Sequence, residues 1–366
     1  MQFNWSAAQR KARERWIRYG QRSFPRRAAP ASPASCLRAL KKLTTTELLH
    51  PAQGAASEIQ AIFDGLGYSC AESGALFMGQ AHLYGSWLPL TKFLPEYAQK
   101  LSALRRKPLL GLAATEPQAG SDFFGMETRA VERKSGWALS GLKTFVTNAP
   151  IADFFLVYAR TAAERGPASL ACFLVKADSP GLSVRALPES MGLETAAMGE
   201  VRLKNVLIPH AQVLGSPRSG LDIFHYTMAW ERSLILSSAP GALDRLREAT
   251  AAMAQKKMRG AKRVIEIPAF QEKLERVSLL AAQIRAGITA AAAQLDAGKC
   301  GISLAAETKV AASENYQEAS RILLQLGGKE AFLRGSPSES NYRDSLASHL
   351  YSGPNDLLRA IVEAMR

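Results

Sequence analysis

Hydrophobic and polar residues alternate differently in three successive parts of the chain. In residues 1–108, segments such as AAQRKARERWIRYG and AASEIQAIFDGLGYSCAESGALFMGQAHLYG predict helices, while PRRAAPASPAS between them contains too much proline to be helical throughout. In residues 109–216, short β-branched and aromatic runs such as DFFLVYAR and LACFLVKA, separated by Gly, Pro, Asp and Asn, predict an antiparallel β domain. In residues 217–366, FQEKLERVSLLAAQIRAGITAAAAQLDAG and AAETKVAASENYQEASRILLQLGG repeat apolar residues every three to four positions and end in glycine, as long packed helices do. The pattern therefore predicts an α+β multidomain chain in the order helical, β, helical.

The composition is that of a globular protein with a substantial core. The chain has 366 residues, 47% of them hydrophobic, and no run of about 18 uncharged apolar residues that would indicate a membrane span. Its first residues, MQFNWSAAQRKARERWIRYG, carry charges where a secretory signal would be apolar, so we expect a cytoplasmic protein. The cysteines at positions 36, 70, 172 and 300 are scattered, so neither a zinc site nor any other metal site nor a disulfide framework is predicted.

The formal net charge of +14 requires an explanation, either a negatively charged binding partner or a contribution to solubility. Nucleic acid is disfavoured, because the basic groups lack interleaved aromatic residues and no familiar nucleic-acid-binding motif is present. Phosphorylated cofactors or an acidic protein partner fit at least as well, and a solvated basic surface without a dedicated partner is the third alternative. The basic residues gather at Arg10, Lys11, Arg13, Arg15, Arg18, Arg22, Arg26 and Arg27, at Arg105, Arg106 and Lys107, and at Lys256, Lys257, Arg259, Lys262 and Arg263.

Two segments of the β zone carry candidate chemistry. In GLAATEPQAGSDFFG, residues 111–125, small residues around Thr115, Gly120 and Ser121 leave backbone N–H groups uncovered, as is needed where a flat cofactor or a phosphate approaches the main chain. Taken by itself, the segment is better explained as an ordinary small-residue turn, because Gly/Ser/Asp clusters are common in turns. In GLKTFVTNAP, residues 141–150, Phe145 and Thr147 share one side of a strand, which alone indicates cross-strand packing.

Taken together, these segments resemble the acyl-CoA dehydrogenase family. ATEPQAGSD matches that family's T-E-P-x-A-G-S-D segment, and GLKTFVTNAPIADFFLVYAR, some twenty-five residues further on, matches G-x-K-x-[WF]-[IV]-T-N. The resemblance continues through GEVRLKNVLIP, RGAKRVIEIPAF, LLQLGGKEAF and the final NYRDSLASHLYSGPNDLLRAIVEAM, and spans roughly residues 55–366. It implies an N-terminal helical domain (1–108), a flavin-binding middle domain with an antiparallel, barrel-like sheet (109–216) and a C-terminal four-helix bundle with the catalytic base (217–366). It also implies FAD as the cofactor and a homo-oligomer, a tetramer or a dimer.

The resemblance assigns roles to individual residues. Thr115 and Thr147 are expected to hydrogen-bond the flavin ring, Phe145 to lie against it, and Ser121 to lie between cofactor phosphate and substrate thioester. One subunit's bundle is expected to hold its neighbour's cofactor, although this chain has Lys257 where the family commonly has an arginine, a Q-x-x-G-G segment one residue short, and Gly260 in place of a phenylalanine. The expected cofactor-binding residues are Leu112, Ala114, Thr115, Gly120, Ser121, Phe145, Val146, Thr147, Lys257, Gln325, Gly327 and Gly328.

The family's reaction requires a carboxylate base. Many members place it in a C-terminal I-Y-E-G-T segment, but this chain reads LYSGP there, with Ser352 at the glutamate position, and a serine hydroxyl is too weak a base at neutral pH. A subset of the family supplies the base from the first long helix of the C-terminal bundle, directly before an arginine, and AWERSLI matches that pattern at Glu231. Ser121, Arg232, Ser352 and Gly353 are then expected to bind substrate, with the backbone N–H of Ser352 polarising the thioester carbonyl.

Helical geometry supports this assignment independently. Phe224, Met228, Glu231 and Ile235 follow at i, i+4, i+7 and i+11, so the carboxylate is predicted to point along an apolar stripe, which would raise its pKa toward that of a useful base. Arg232 points about 100 degrees away and cannot neutralise Glu231 within the same helix. A buried ion pair with a cation from another helix is the structural alternative.

The sequence therefore predicts an FAD-dependent α,β-dehydrogenase of acyl or aminoacyl thioesters. The serine at position 352 and the WER segment resemble the prolyl-carrier-protein dehydrogenases of natural-product pathways, which implies an acidic carrier protein bearing a phosphopantetheine thioester as partner, attracted by the positive charge. A conventional acyl-CoA dehydrogenase, a flavin monooxygenase on the same fold and a catalytically silent assembly protein remain alternatives. An electron acceptor for the reduced flavin is required, either oxygen or an electron-transfer flavoprotein, while no nucleic acid or membrane partner is expected.

Overall fold

The first part of the chain is helical. The computed structural model describes residues 3–24, 32–51, 55–119, 122–164 and 166–365. Helices α1 and α2 both begin with a capping box, in which Ser6 and Ser32 accept backbone N–H groups of their own first turns. A π-helical turn, Leu83–Trp87, joins α4 to α5. The helices are α1 (Ala7–Ser23), α2 (Pro33–Thr44), α3 (Ala56–Ser69), α4 (Ser73–His82), α5 (Leu88–Phe93) and α6 (Pro95–Ser102).

A seven-stranded sheet follows, with strands in the order β1-β4-β2-β3-β7-β6 and β5 paired to β4. Most neighbours are antiparallel, but β4 pairs parallel with both β1, where Leu110 lies opposite Phe154, and β2. Strands β4 and β5 are buried almost throughout, which explains their unbroken apolar sequences. The strands are β1 (Leu110–Ala113), β2 (Arg129–Arg133), β3 (Gly136–Thr147), β4 (Phe154–Arg160), β5 (Leu170–Lys176), β6 (Leu182–Ala186) and β7 (Met198–Pro209).

The remainder of the chain is again helical, with four long helices, α7 to α10, forming a bundle. Both glycines predicted to end long helices adopt left-handed φ values, 67° at Gly298 after α9 and 66° at Gly328 near the end of α10. A short hairpin of β8 and β9 joins α8 to α9. The elements are α7 (Gly220–Leu234), α8 (Ala239–Lys256), β8 (Met258–Arg259), β9 (Lys262–Arg263), α9 (Pro268–Asp296), α10 (Ile302–Ala331), α11 (Pro337–Ala347) and α12 (Asn355–Ala364).

The two helical regions share one core. Helices α3 and α8 touch through their backbones at Gly241, where a Cβ atom would lie only 1.9 Å from the carbonyl oxygen of Asp64, so a larger residue would push the helices apart. The carboxylate of Asp64 is buried and binds Arg13 of α1 and Arg285 of α9 at 2.6 and 2.7 Å, and Arg285 also binds Asp244 of α8 at 2.5 Å. This network links four helices from both ends of the chain.

The predicted order of a helical, a β and a second helical region is confirmed. The domain limits at residues 108 and 216 stay predictions, although the strands of the large sheet lie between residues 110 and 209 and the bundle begins at Gly220. Among the described residues, no helix combines the length and apolar character needed to cross a membrane.

Candidate active site

Glu231 lies in the last turn of α7, on the face predicted from its spacing. Met228 and Ile235, one turn to either side, are buried, and Glu231 itself is partly buried. Its Oε1 atom accepts a hydrogen bond of 2.6 Å from the Ser352 hydroxyl. Ser352 occupies the position at which many family members have their catalytic glutamate. It therefore contacts Glu231, the carboxylate predicted to act in place of that glutamate.

The second carboxylate oxygen of Glu231 faces the other two regions of the fold. A Cβ atom added to Gly85, in the π-helical turn, would lie 3.3 Å from Oε2 of Glu231 and 3.4 Å from Cβ of Leu112 in β1. The π-helical turn, the first strand and α7 therefore meet around this oxygen. Single π-helical turns are frequent at functional sites, where they change the direction in which helical residues project.

Burial raises the pKa of Glu231 above its ordinary value, and the Ser352 hydrogen bond and the charges of Arg232 and Lys309 only partly oppose the rise. Among the described residues, no cation forms an ion pair with this carboxylate. The alternative of a buried ion pair is thus not what the structure contains, and the carboxylate has the raised proton affinity that a general base needs.

A strained turn follows α11 and lies beside Glu231. Ser352 and Gly353 have φ values of 57° and 100°, and a positive φ is costly for serine. Arg232 Nε donates to the carbonyl of Ser352 at 3.0 Å, and Lys309 Nζ donates to the carbonyl of Gly353 at 2.8 Å. Burial and the charge of Arg232 lower the pKa of Lys309 to about 7, although Glu231 opposes this.

The two carbonyls of this turn accept hydrogen bonds from Arg232 and Lys309, and its N–H groups form a separate set of donors. Within the described residues, the N–H groups of Ser352 and Gly353 have no hydrogen-bond acceptor. Two adjacent unpaired N–H groups next to a carboxylate form a donor pair suited to a carbonyl oxygen that gains negative charge. The structure thus brings Arg232, Ser352 and Gly353 together with Glu231, as predicted.

The predicted flavin-binding residues of the β domain form a second part of the site. Phe145 has a φ of 52°, lies at a register shift between β3 and β7 and is 68% exposed. Thr115 and Thr147 are partly exposed, and the Thr144 N–H donates to the Thr115 carbonyl at 2.9 Å, which joins the two motifs. An aromatic ring held outward on strained backbone beside two hydroxyls fits a flat ring system such as a flavin.

The other predicted cofactor residues divide into three groups. Leu112 and Ala114 are partly exposed at β1, whereas the Val146 side chain is 1% exposed and packs in the sheet core, so only its backbone could contact a ligand. Gly120 and Ser121 lie outside the described residues. At the far end of the bundle, the Lys257 ammonium pairs with Glu330 at 3.1 Å, near the segment that contains Gln325, Gly327 and Gly328.

One buried ion pair in the site was not predicted from the sequence. Lys143 Nζ lies 2.8 Å from Glu116 Oε1, with both side chains at most 1% exposed, and it also donates to the Ala114 carbonyl at 3.0 Å. Glu116 accepts further hydrogen bonds from the N–H groups of Glu127 and Thr128 at 2.6 and 3.0 Å. A signal was present in the sequence, because Glu116 directly follows Thr115 in the first motif and Lys143 is the one charged residue of GLKTFVTNAP in the second.

A small cavity lies one helical turn beyond the candidate base, which does not itself line it. It has a volume of about 130 Å³ and is lined by Ile235, one turn beyond Glu231, by Tyr351, and by Phe77 and Ser73 of α4. The rings of Phe77 and Tyr351 are 4.9 Å apart. A larger cavity of about 270 Å³ lies between α1, α8 and α9, but none of the predicted site residues lines it, so we do not assign the chemistry there. Among the described residues, no cluster of His, Cys, Asp or Glu could hold a metal ion.

Comparison with known proteins gives a consistent result. The family models for the acyl-CoA dehydrogenase middle domain and C-terminal domain match residues 111–206 and 218–365, about two thirds of the chain. An L-prolyl-[peptidyl-carrier protein] dehydrogenase from a Serratia species is 29% identical over 304 residues, which cover 82% of this chain and 79% of the relative. The crystal structure of the prolyl acyl carrier protein oxidase AnaB has a TM-score of 0.88 and 26% identity, covering 99% of both chains. The structure of PigA with FAD and proline has a TM-score of 0.90 and 26% identity, covering 100% of this chain and 99% of the other.

Proposed function

Because the chain belongs to the acyl-CoA dehydrogenase family and is a flavin-dependent oxidoreductase that uses FAD, we propose that it desaturates an acyl or aminoacyl thioester between the α and β carbons, with Glu231 as the base. The observation that carries the proposal is the position of the Glu231 carboxylate. It has a raised pKa, no ion pair among the described residues, and one oxygen facing Gly85 and Leu112.

Each group of the protein around Glu231 has a separate role in the proposed reaction. Oε1 of Glu231 is occupied by the Ser352 hydroxyl, so Oε2 is the atom that takes the α-proton. The N–H groups of Ser352 and Gly353 hold the thioester carbonyl and stabilise the negative charge that develops on it as the α-proton leaves. Arg232 and Lys309 keep this turn in its strained conformation by binding its two carbonyls. A flavin bound beside Thr115, Phe145 and Thr147 would supply the hydride-accepting chemistry that the β-hydrogen requires.

Cofactor binding is assigned to the exposed side of the β domain. Thr115 and Thr147 would donate to the flavin ring and Phe145 would lie against it. Lys143 and Glu116 hold the two segments that carry these residues in a fixed relation. Lys257 and the segment from Gln325 to Gly328 would contact the cofactor of a neighbouring subunit.

A thioester carried by an acidic carrier protein is the proposed substrate. The support is the similarity to carrier-protein-dependent relatives together with a formal charge of +14, which would attract an acidic partner at long range. A conventional acyl-CoA substrate is the alternative, in which the same charge would attract the CoA phosphates.

A thioester panel tests this function directly. The purified holoenzyme would be mixed anaerobically with L-prolyl and short acyl groups, each as a carrier-protein thioester and as a CoA thioester, while the flavin absorbance is followed. We expect rapid bleaching with a carrier-bound substrate and slower bleaching, or none, with the CoA form. Faster reduction by CoA thioesters would assign the chain to the conventional acyl-CoA dehydrogenases.

Replacing Ser352 with alanine should change the pH profile more than the maximal rate. The Ser352 hydroxyl stabilises ionised Glu231, so its removal will raise the pKa of Glu231 further. Since the base acts when ionised, the rate of flavin reduction rises with pH through this pKa, and in the variant this rise will move to higher pH. The matched control is Ser348→Ala, whose hydroxyl donates to the Ser345 carbonyl instead, and which should leave the profile in place. An unmoved profile in Ser352→Ala would contradict the proposed coupling of these two groups.

We also propose that the protein is a homo-oligomer, a dimer or a tetramer. Phe332 and Met258 are 77% and 61% exposed, and they flank the ion pair of Glu330 with Lys257. Large apolar side chains are rarely left so exposed next to each other on a monomer surface. Light scattering of the eluted protein should give the mass of two or four chains, and the mass of one chain would contradict the assignment.

A further inference from the structure

We propose that a cationic stripe on α1, formed by Lys11, Arg15, Arg18 and Arg22, is the docking surface for the acidic carrier protein. This inference rests on the proposed function. The charge of the chain is unevenly distributed, since residues 1–50 contain eleven lysines and arginines against two acidic residues. They therefore carry a net charge of +9, and the other 316 residues carry +5. An asymmetry of this size points to an interaction surface at this end of the chain.

The fold arranges these charges on one face. The four residues follow one another at intervals of four, three and four positions, which places them on one side of a helix, and all four are exposed. Within the described residues, none of the four side chains forms an ion pair. Arg13, by contrast, points inward to Asp64, and Glu14 is the single acidic residue of α1. The stripe is thus a row of four cations with one exposed carboxylate, Glu14, at its edge.

Helix α2 extends this surface. The Lys42 ammonium donates to the Ser23 carbonyl at 2.6 Å and the Tyr19 hydroxyl donates to the Lys42 carbonyl at 3.2 Å, so the two helices are joined at their C-terminal ends. Lys41 and Lys42 are both exposed there. Their charges adjoin the end of the stripe at Arg22.

The same two helices form the outside of the wall around the cavity beside Glu231. A Cβ atom on Gly20 of α1 would lie 1.9 Å from the Ser69 hydroxyl, and the residues that follow, Cys70 to Ser73, line that cavity. On the inner face of α2, Cys36 lies against Gly74, where an added Cβ would be 3.1 Å from Sγ and 2.4 Å from the hydroxyl of Thr195, another lining residue. A carrier bound to the stripe would therefore sit on the outer side of helices whose inner side contacts the lining of this cavity, one turn from Glu231.

The chemistry of the surface favours an acidic protein over nucleic acid. Base stacking requires exposed aromatic rings among the cations. Trp16 and Tyr19, the aromatic residues of α1, are partly buried, and their rings pack against each other at 5.0 Å and against the helical core. An isolated row of guanidinium and ammonium groups matches the carboxylates on an acidic helix, for which electrostatic steering raises the rate of association.

Charge reversal tests the inference. The variant Lys11→Glu, Arg15→Glu, Arg18→Glu, Arg22→Glu would be compared with wild-type holoenzyme on two substrates, a prolyl thioester on an acidic peptidyl carrier protein and the same prolyl group on pantetheine alone. We expect kcat/KM for the carrier-bound thioester to fall about 10- to 100-fold and its dependence on salt to disappear, while the pantetheine thioester reacts as before. The neutral variant with glutamine at the same four positions should show an intermediate loss.

The control variant carries the same change in net charge on the middle domain, Arg133→Glu, Lys134→Glu, Arg202→Glu, Lys204→Glu, all exposed positions. It should retain most of the carrier-dependent rate. An equal loss in the control, an equal effect on both thioesters, or no effect on the carrier-bound one would each overturn the inference. If a fluorescent DNA duplex binds wild type at physiological salt and not the stripe variant, while carrier turnover is unchanged, the surface is a nucleic-acid site. If the wild type reduces its flavin with neither thioester, the proposed function itself is wrong.

Discussion

Replacing Glu231 with glutamine will slow flavin reduction by a thioester substrate about 10²- to 10⁴-fold, the usual contribution of a general base. Glutamine has nearly the same shape, and its carbonyl oxygen can still accept the hydrogen bond that the Ser352 hydroxyl donates to Oε1 at 2.6 Å. It has no site for the α-proton. Stopped-flow measurement of the flavin absorbance under anaerobic conditions gives the rate of this step separately from reoxidation.

A variant on the same helix provides the control for this experiment. Asp222→Asn also removes one negative charge from α7, but Asp222 is exposed in the first turn. It should reduce its flavin at nearly the wild-type rate. Both variants should retain FAD and their melting temperature. Full turnover in Glu231→Gln would exclude this residue as the base and would favour a flavin monooxygenase, which requires no α-proton base.

Replacing Glu116 with alanine will lower the free energy of unfolding by about 3–5 kcal/mol, as is found when one partner of a buried ion pair is removed. The loss would leave the Lys143 ammonium buried without a counter-charge and the N–H groups of Glu127 and Thr128 without their acceptor. Burial alone would raise the pKa of Glu116, but the charge of Lys143 and these hydrogen bonds outweigh burial and lower that pKa. For Lys143, burial lowers the pKa to about 8, although the attraction of Glu116 opposes this change. Denaturant titration of the apoprotein measures the change in stability.

An exposed ion pair is the matched control. Lys176 and Asp178 also lie 2.8 Å apart, but their side chains are 58% and 71% exposed, so Asp178→Ala should cost less than about 1 kcal/mol. A double variant, Glu116→Gln with Lys143→Met, should recover part of the stability lost in Glu116→Ala, because it leaves no buried charge. If Glu116→Ala costs no more than Asp178→Ala, the pair does not hold the two motif segments together. Since Thr115 precedes Glu116 directly, we also expect Glu116→Ala to bind less FAD.

Local patterns in the sequence predicted the helices and strands well, because their periodicity depends on near neighbours in the chain. The glycines at 298 and 328 are an example, since the need for a left-handed residue at the end of a helix is a local requirement. The spacing of Met228, Glu231 and Ile235 likewise placed the carboxylate on the core-facing side of α7 before any tertiary contact was known. The parallel pairing of β1 with β4 was not predicted, because no local pattern records which strands become neighbours.

Contacts in the site depend on residues far apart in the chain. The sequence showed that Ser352 occupies the position of the family's usual base. It did not show that the Ser352 hydroxyl donates a hydrogen bond to Glu231, 121 positions away in the chain. Lys143 and Glu116 were each part of a quoted motif, yet their pairing became evident only once the loop after β1 lay against β3. Val146 was expected among the cofactor-binding residues; its side chain is packed in the sheet core, so contact with a cofactor through its backbone stays a prediction.

The sequence by itself determined the order of helical and β regions, the family and its cofactor, and the identity of the candidate base, since these follow from local periodicity and from short motifs. Only the tertiary structure decided what surrounds that base. The pKa of Glu231 is set by its burial, by one hydroxyl and by two cations that come from different helices and a turn. The row of cations on α1 follows from helical spacing, and the tertiary structure decided that this face stays exposed while Arg13 points inward to Asp64. Electrostatic effects depend on distance and burial in space, and separation along the chain specifies neither.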